Sequence, residues 1–415
     1  MTIKDEELKN IDLTYNAFGN PDEKLLVSVK DALNNTTSYD YNILGSLTSI
    51  DQGGISRTFH YDSKNFLDYE THPEKGTINY PLRDGVGNMK SKQDSLGTTS
   101  YTYDGVNRLK TIDYGTGTIS FNYDGANNRT LMDNPNANID YTYHENNLLW
   151  TKNEIILGKT YTTRFEYDGN DNLTDIYYPS GRHVQDSYND KNQVTSVTQF
   201  GGSINNISYH TTGTSLGLLK SFTCSNGKTT NLTYTTRNLM ETIQSGSSIL
   251  NLLYTYNDKR GNLTSINDYL NGANSQSFTY DELNRLRIFN GSWGTGNYNY
   301  YFSGNRSSKV VAGVTTTYNY TNNRLTSTTG GESSSFGYNT NGDATGVNGY
   351  TLDYNRLHNL ISFKQGTTPI AEYTYDGDGV RVTKTANGTT IVYHYYKDGR
   401  VISENDGSGV LIADY

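Results

Sequence analysis

The sequence predicts an all-β fold made of tandem hairpins. Tyr is the dominant aromatic residue, with 37 Tyr among 415 residues against 12 Phe and 2 Trp. Charged residues make up only 19% of the chain, so its hydrophilicity comes from Ser, Thr, Asn and Gly rather than from the Glu, Lys and Arg of solvated helix faces. Aromatic residues make up 12%, which is too many for a disordered chain. These features favour strands in which Tyr supplies most of the buried area.

A tyrosine-centred repeat runs through the whole chain. Nineteen tyrosines from Tyr15 to Tyr395 recur with a mean spacing of about 21 residues, and thirteen of them have Tyr or Phe two positions earlier. We therefore expect residues 1–415 to form a single continuous repeat domain of about 19 units, with no linker and no second globular domain. The tyrosines taken as the structural anchors of the repeat are Tyr41, Tyr61, Tyr103, Tyr123, Tyr143, Tyr167, Tyr256, Tyr280, Tyr320, Tyr375 and Tyr395.

One repeat encodes two strands and the turn between them. Ser100–Tyr103 alternates hydroxyl and aromatic side chains, which is the period of two of a half-buried strand. Asp104–Asn107 is a turn, because Asp bonds its own backbone and Gly and Asn tolerate a positive φ. Arg108–Tyr114 returns as the second strand. In an earlier unit Leu47 and Ile50 have opposite parity: they are three positions apart and would face opposite sides of a regular strand. This predicts either a β-bulge between them or apolar neighbours on both faces.

Packing of neighbouring hairpins explains the preference for Tyr. A single hairpin is marginal in water, but hairpins paired edge to edge bury their tyrosine columns against one another. We expect the rings to pack while the hydroxyls stay hydrated on a wet face. We also expect every anchor to lie in an antiparallel strand and helix to form less than about a tenth of the chain.

Composition and charge exclude several classes of protein. A formal net charge of -9 without a basic block argues against nucleic-acid binding. Cys224 is the only cysteine, so no intrachain disulfide forms, and the redox compartment stays open. Met1–Asn10 has no apolar stretch, so no signal peptide is expected in this sequence. No apolar run approaches the ~20 residues that span a bilayer, so we expect a soluble protein without a membrane span.

Short motifs for catalysis and metal binding match by chance. Gly213–Gly217 has the nucleophile-elbow pattern, with His358 and His394 downstream, but a strand pattern rather than a helix follows it. Asp168–Asn172 and Asp376–Gly379 suggest calcium loops, yet both lack the glycine and glutamate of an EF-hand and are more simply turns. We therefore expect no catalytic residue, no cofactor and no metal site.

Two further patterns are equally weak. The Gly-Lys-Thr stretches at 158–160 and 227–229 lack the earlier glycine of a P-loop. The histidines do not fall at metal-ligand spacings. They are read as strand or turn positions of the repeat, and they are His60, His72, His144, His183, His210, His358 and His394.

The units resemble a known family. Tyr101–Leu109, Phe165–Leu173 and Phe278–Leu286 resemble the YD repeats of the rearrangement-hotspot (Rhs) proteins, which also occur in the shell components of insecticidal toxin complexes, in bacterial wall-associated proteins and in teneurins. The segment from Tyr373 to Glu404 is similar to the one that precedes the C-terminal core of that family.

The resemblance implies a spiralling antiparallel β-sheet that forms part of a hollow β-shell. In polymorphic toxins of this family the shell encloses a C-terminal toxin polypeptide, which implies a secreted or cell-surface protein. The core and toxin domains are absent from this sequence, so the chain is expected to be a fragment or a truncated relative. No catalytic residue of the family can be carried over.

The preferred reading is a non-enzymatic shell segment. Its partners would be a toxin polypeptide cargo, or the remaining shell and core segments of a longer protein. The rival reading is an extracellular glycan-binding or adhesion surface, since exposed aromatic residues stack on sugars. Such repeats generally need an aromatic cluster in each unit, and Trp150 and Trp293 are the only tryptophans here. The apolar run Val410–Ala413 predicts an unprotected sheet edge through which the chain associates.

Overall fold

A computed structural model describes residues 1–4, 9–16, 24–199, 201–256 and 259–415. In these residues the chain forms 40 β-strands and a single 3₁₀ turn, Gly272–Asn274. The all-β expectation and the expected scarcity of helix are therefore confirmed for the described part of the chain.

The strands of the first half of the chain are β1 Thr2–Lys4, β2 Asn10–Tyr15, β3 Leu26–Lys30, β4 Thr36–Tyr41, β5 Leu47–Gln52, β6 Ile55–Tyr61, β7 Leu67–His72, β8 Gly76–Arg83, β9 Met89–Asp94, β10 Gly97–Tyr103, β11 Leu109–Asp113, β12 Thr118–Tyr123, β13 Arg129–Asp133, β14 Ala137–Tyr143, β15 Leu149–Ile156, β16 Lys159–Tyr167, β17 Leu173–Tyr177, β18 His183–Tyr188, β19 Val194–Gln199 and β20 Gly202–Tyr209.

The strands of the second half are β21 Leu219–Cys224, β22 Thr229–Tyr234, β23 Met240–Ser245, β24 Leu250–Thr255, β25 Ser265–Asp268, β26 Gln276–Tyr280, β27 Leu286–Gly291, β28 Gly294–Tyr300, β29 Arg306–Val311, β30 Val314–Thr321, β31 Arg324–Gly330, β32 Ser334–Tyr338, β33 Ala344–Val347, β34 Tyr350–Tyr354, β35 Leu360–Gln365, β36 Thr368–Tyr375, β37 Arg381–Ala386, β38 Thr389–Tyr395, β39 Val401–Asp406 and β40 Leu411–Asp414.

Pairing follows the order of the chain. The pairings that the structure describes are antiparallel and join consecutive strands, as β10 pairs with β11 and β11 with β12. Such short connections need only turns, which Asn, Asp and Gly supply at the expected positions. In the turn after β10, for example, Asn107 adopts a φ of 66°.

A β-bulge lies at the anchor of most hairpins. Tyr41 pairs with Leu47, whereas Asp40 pairs with Ser49, so that Thr48 is an extra residue in the second strand. This extra residue explains the opposite parity of Leu47 and Ile50 and confirms the first of the two alternatives predicted for them. The same shift accompanies, for example, the anchors Tyr103, Tyr123, Tyr143, Tyr167, Tyr280, Tyr320, Tyr375 and Tyr395.

The expectation that every anchor lies in a strand is wrong at one position. Tyr256 lies one residue beyond the end of β24. In most units the leucine that opens the second strand comes six residues after the anchor, as in Tyr103 and Leu109, whereas Leu263 comes seven residues after Tyr256. The longer turn ends the ladder earlier, at the pair Thr255 and Ser265.

The chain divides into two compact units. Unit 1 comprises residues 1–79, 208–221 and 228–344, and unit 2 comprises residues 80–207, 222–227 and 345–415. In unit 1 the early and late stretches touch: Lys9 Nζ lies 2.7 Å from Glu282 Oε1, and Asn323 Nδ2 donates to Glu74 Oε1 at 2.7 Å. Contacts between such distant repeats are not evident from the repeat pattern alone.

Unit 2 contains two packed layers with a hydrophobic core. We call β9–β19 the first layer and β34–β40 the second layer. The core residues Ile119, Met132 and Ile139 come from the first layer, and Val382 and Val392 come from the second. All of them are at most 1% exposed. Dispersion and the hydrophobic effect therefore hold together stretches of chain about 250 residues apart.

Candidate functional site

In most of the described repeats a tyrosine hydroxyl bonds one hairpin to the previous one. Tyr61 Oη donates at 2.9 Å to the carbonyl oxygen of Leu47, the residue that pairs with Tyr41. We call this bond the tyrosine staple. The same bond is made by Tyr41, Tyr103, Tyr123, Tyr143, Tyr167, Tyr188, Tyr234, Tyr280, Tyr300, Tyr338, Tyr375 and Tyr395.

The staple corrects one expectation from the sequence. The anchor hydroxyls were expected to stay hydrated, but they donate to backbone carbonyls instead, at 2.6 Å in Tyr395 and 2.9 Å in Tyr103. Burial raises the pKa of both phenols, so they remain protonated donors. The staple also gives a reason for Tyr rather than Phe, because Phe has no hydroxyl with which to bond this carbonyl.

Two of the predicted anchors differ from the others. Tyr256 lies outside β24, as described above. Tyr320 lies in β30, and its ring meets that of Tyr301 edge to face with centroids 5.8 Å apart. It precedes a tight turn at Asn322 and Asn323, both with positive φ. The structure thus places the other predicted anchors in one recurring arrangement and leaves these two apart.

The turns carry their own hydrogen-bond network. Asp104 Oδ1 accepts from the backbone N–H groups of Val106 and Arg108, at 3.0 and 2.9 Å. The hydrogen bond from the Arg108 backbone is the largest cause of the lowered pKa of Asp104. Asp168, in the stretch that resembled a calcium loop, likewise accepts from Asn170 and Asn172. These carboxylates serve as turn-forming groups.

Successive turns are joined along one rim by side-chain amides. Asn88 Nδ2 donates to Asn107 Oδ1 at 3.1 Å, and Asn128 Nδ2 donates to Asn147 Oδ1 at 2.8 Å. Between them, Arg108 bonds to Asn127 Oδ1 at 2.9 Å. The sequence showed the asparagines as turn residues only. Their regular place after the anchor is the signal that could have revealed the ladder.

One face of the ribbon is lined by hydroxyl pairs. Thr102 and Thr111 lie across a hairpin with their Oγ1 atoms 2.6 Å apart, and both project on the exposed side of the strands. Equivalent exposed pairs are Thr142 with Thr151 at 2.6 Å and Thr233 with Thr242 at 2.7 Å. This face is polar, and it also carries exposed carboxylates such as Asp113 and Asp140, which lie two residues from Thr111 and Thr142 on the same strands. The paired hydroxyls bond each other.

A polar centre lies within unit 2. Glu154 and His394 are 1% and 0% exposed, and Glu154 Oε2 lies 3.2 Å from His394 Nδ1. Burial alone would raise the pKa of Glu154, but Lys152 at 2.8 Å and His394 outweigh it and lower that pKa. The ring of Tyr161 lies 4.2 Å from that of His394. A closed centre of this kind joins two layers but offers no access for a substrate.

Ser215, the serine of the nucleophile-elbow pattern, lies away from the polar centre and lacks the helix that a nucleophile elbow requires. Ser215 lies in a turn between β20 and β21, where its carbonyl accepts from Leu218 N at 3.0 Å. A strand rather than a helix follows, as the sequence predicted. Within the described ranges, no group of three His, Cys, Asp or Glu residues is placed to hold a metal ion. The same ranges contain no helix long and apolar enough to cross a bilayer.

An aromatic cleft opens on unit 1. It has a volume of about 380 Å³ and is lined by Tyr301, Phe302, Tyr320 and Asn305, among others. Tyr301 is 46% exposed. The ring of Phe302 lies directly against the backbone of Gly53, where a Cβ would not fit.

Comparisons with known proteins agree with this architecture. Residues 85–199 match the family model of the teneurin YD-shell. The structure of the Photorhabdus luminescens Tc holotoxin pore is similar to this chain with a TM-score of 0.72 and 14% identity, covering 98% of this chain and 26% of that one. A crystal structure of TcdB2, TccC3 and Cdc42 is similar with a TM-score of 0.66 and 13% identity, covering 98% and 27%.

The chain spans about a quarter of the length of those two solved chains. No curated protein sequence matches it. At such low identity the two structures show a shared fold, and the match to the YD-shell family model covers residues 85–199. Together with the stapled hairpins, these findings confirm the resemblance to YD-repeat shell proteins that was seen in the sequence.

Proposed function

We propose that the chain is a wall segment of a β-shell that encloses and sequesters a polypeptide cargo, without catalytic activity of its own. The tyrosine staple is the observation that carries this proposal. It joins hairpin to hairpin, as from Tyr123 to Leu109 and from Tyr143 to Arg129, and so converts marginal hairpins into one continuous wall.

The hydroxyl face suits a wall that confines without binding. The pairs Thr102–Thr111 and Thr142–Thr151 are uncharged and mutually bonded. A partly unfolded guest would meet polar side chains rather than a large apolar patch there, and so would be held by volume exclusion. The shell would act outside the cell or at its surface, with the toxin polypeptide or the rest of a longer shell as partner.

Protection of a guest from protease tests this proposal. The full-length protein that contains this chain would be digested under native conditions, and the cargo followed by mass spectrometry. We expect the cargo to survive in the wild type and to be cleaved when five staples are removed together by Tyr→Phe at Tyr103, Tyr123, Tyr143, Tyr167 and Tyr188. A cargo cleaved as fast in the wild type as in isolation would contradict enclosure.

Substitution elsewhere provides the control. Tyr69 is 37% exposed and stacks on His60 at a centroid distance of 4.6 Å, outside the staple positions. Tyr69→Phe should leave protection unchanged. If it opens the shell as readily as the staple substitutions do, the protection does not depend on the staples.

A glycan-binding role is the second candidate, and the cleft at Tyr301 is the observation that favours it. Trp150 and Trp293 are also exposed, by 41% and 47%, but neither lines this cleft. Exposed aromatic rings with nearby amides can stack on and bond a sugar ring. We expect any binding on a glycan array to be lost in Tyr301→Ala. An array without a bound glycan would reject this role.

A further inference from the structure

In unit 2, one repeat array packs on another. Both layers are built from hairpins of about 20 residues, so a shift of the second layer by one hairpin, about 10 Å, would return most Tyr and Thr side chains to equivalent surroundings. Two such repetitive surfaces can align in several registers with similar contacts, unless some contacts are specific to one repeat. Three contacts between the layers of unit 2 do differ from repeat to repeat.

The first is made by Arg356, in the turn between β34 and β35. Its Nε donates to the carbonyl of Leu96 at 3.0 Å. Its guanidinium fills the space above Gly97 and Gly115, so closely that a Cβ at Gly97 would come within 2.8 Å of Nε. In the same turn, His358 Nε2 lies 3.1 Å from a first-layer carboxylate. This part of the first layer therefore accepts a long cationic side chain.

The second contact is made one turn later by Gly377 and Asp378. A Cβ at Gly377 would lie 2.6 Å from Ile119 Cγ2 and 2.8 Å from Met132 Cγ. Those two side chains are 1% exposed and cannot move aside easily. Beside them, Arg129 holds both carboxylate oxygens of Asp378, at 2.8 and 2.6 Å. This part of the first layer accepts a glycine followed by an acid.

The third contact is the polar centre of Glu154 and His394. His394 and Ser403 pair across β38 and β39, and both are 0% exposed. Thr163, on the first layer, is also 0% exposed. The hydroxyls of Ser403 and Thr163 and the Nε2 atom of His394 make no hydrogen bond. Buried polar groups of this kind are more useful for fixing an arrangement than for stabilising it.

Equivalent positions in the second layer hold different residues. Arg356, Gly377 and Lys397 all occupy the second position of successive turns. A shift of one hairpin in one direction would therefore place Arg356 where a Cβ alone does not fit, and a shift in the other direction would place Lys397 there.

The other two contacts would fail in the first of these shifts. Leu357 would replace Asp378 and leave the guanidinium of Arg129 without its carboxylate. Thr374 would replace His394 opposite Glu154. Each loss removes a charged or hydrogen-bonded partner from a group that lies between the layers.

We propose that Arg356, Gly377 with Asp378, and His394 are register keys that allow the second layer of unit 2 to dock on the first in one alignment only. The residues common to the repeats provide the packing between the two layers, and the key residues, which differ from repeat to repeat, select one alignment. Gly377 is the most restrictive key, because its site excludes every side chain.

A cross-link reports the register directly. Ser180 Oγ donates to Asp414 Oδ2 at 2.7 Å, away from all three keys. Cysteines at these two positions, in a Cys224→Ser background, would be joined by a short thiol cross-linker in the native alignment. A shift of one hairpin would move them about 10 Å apart. We expect Gly377→Ala to lower the yield of this cross-link about tenfold, as overpacking of a tight site does.

The matched control is Gly105→Ala. Gly105 occupies the same turn position as Gly377, and neither glycine has a positive φ, but a Cβ at Gly105 would meet nothing within 4 Å. We expect this variant to cross-link like the wild type.

A second variant separates loss of register from loss of folding. Met132→Ala added to Gly377→Ala opens space for the new methyl group and should restore the cross-link. An unchanged yield in Gly377→Ala, or a failure of Met132→Ala to restore it while the strand signal in circular dichroism persists, would overturn the proposal.

Discussion

Tyr123 donates a hydrogen bond of 2.9 Å to the carbonyl of Leu109, the residue that pairs across the previous hairpin with Tyr103. In the repeats that share this arrangement, an anchor thus bonds to the residue that pairs with the anchor before it. The bulge and the staple meet at one residue, because Leu109 both pairs with Tyr103 beside the bulge and accepts the bond from Tyr123.

Removal of a single staple should lower stability modestly. We expect Tyr123→Phe to reduce the free energy of unfolding by about 1 kcal/mol, the net value of a hydrogen bond, plus a further cost for the unsatisfied carbonyl. Denaturant unfolding measures the difference.

Tyr101→Phe is the control for that measurement. Tyr101 lies on the same strand and face as the anchor Tyr103, and no hydrogen bond of its hydroxyl is described. We expect a change of a few tenths of a kcal/mol at most. Equal losses in Tyr101→Phe and Tyr123→Phe would mean that the staple contributes nothing beyond the ring.

Asp376 should make unit 2 less stable as the pH rises. Burial raises the pKa of Asp376 to about 6, from 3.8 for an unperturbed Asp carboxyl. Between these two values the folded state binds the proton more tightly than the unfolded state, so the free energy of unfolding falls as the pH rises through this window. Asp376→Asn keeps the turn acceptor without the charge. We expect it to be more stable than the wild type at pH 7, by at most about 3 kcal/mol.

Asp124→Asn should show the opposite sign. Hydrogen bonds from Asn128 and Ala126 lower the pKa of Asp124. Its stabilising contribution is therefore present above the pKa of the unfolded state and is lost as the pH falls through the folded value. Unfolding curves between pH 3 and 8 distinguish the two variants. Parallel pH profiles for both would show that the environments of these carboxyls are not as described.

Truncation of the polar centre should be costly. In Glu154→Gln, Lys152 and His394 stay buried without their carboxylate, and we expect a loss of about 3–5 kcal/mol. Glu166 is the matched control, because it is a third exposed and lies 3.4 Å from Arg164. Glu166→Gln should change stability by less than about 1 kcal/mol. Comparable losses in the two variants would contradict a special role for the buried centre.

The local structure could be read from the sequence because it depends on neighbours in the chain. The alternation of Ser100–Tyr103 and the turn Asp104–Asn107 each specify their own geometry. The opposite parity of Leu47 and Ile50 left two alternatives, of which the structure shows the β-bulge. Tyr256 was misplaced because its turn contains an additional residue, which moves the end of the ladder.

The contacts between layers could not be read in the same way. They join residues about 250 positions apart, as in Arg129 and Asp378, and that offset depends on the accumulated twist and curvature of many strands. The acceptor of each tyrosine hydroxyl could not be predicted either, because the sequence pattern is the same whether the hydroxyl bonds water or a backbone carbonyl. The sequence did hold one signal of these contacts, in the residues that depart from the repeat. At the same turn position, Arg356 and Lys397 have long side chains and Gly377 has none.

The final strand should promote self-association. Among the pairings of the described residues, β40 pairs with β39 only. Leu411 and Ile412 are 46% and 50% exposed on it, and such an edge templates the addition of another strand. The contacts of Ser180 with Asp414 and of Tyr178 with the carbonyl of Tyr415 tether one end of this strand but leave its apolar side chains open.

A charge on this strand should therefore reduce association. We expect Leu411→Lys to lower the apparent mass in light scattering at tens of micromolar relative to the wild type, because a lysine must lose hydration to enter a new strand pair. Leu82→Lys is the control, since Leu82 is 53% exposed within β8, away from β40. A wild type that is monodisperse and monomeric would show that β40 does not recruit a second chain, and an equal reduction by Leu82→Lys would show that net charge rather than the edge governs association.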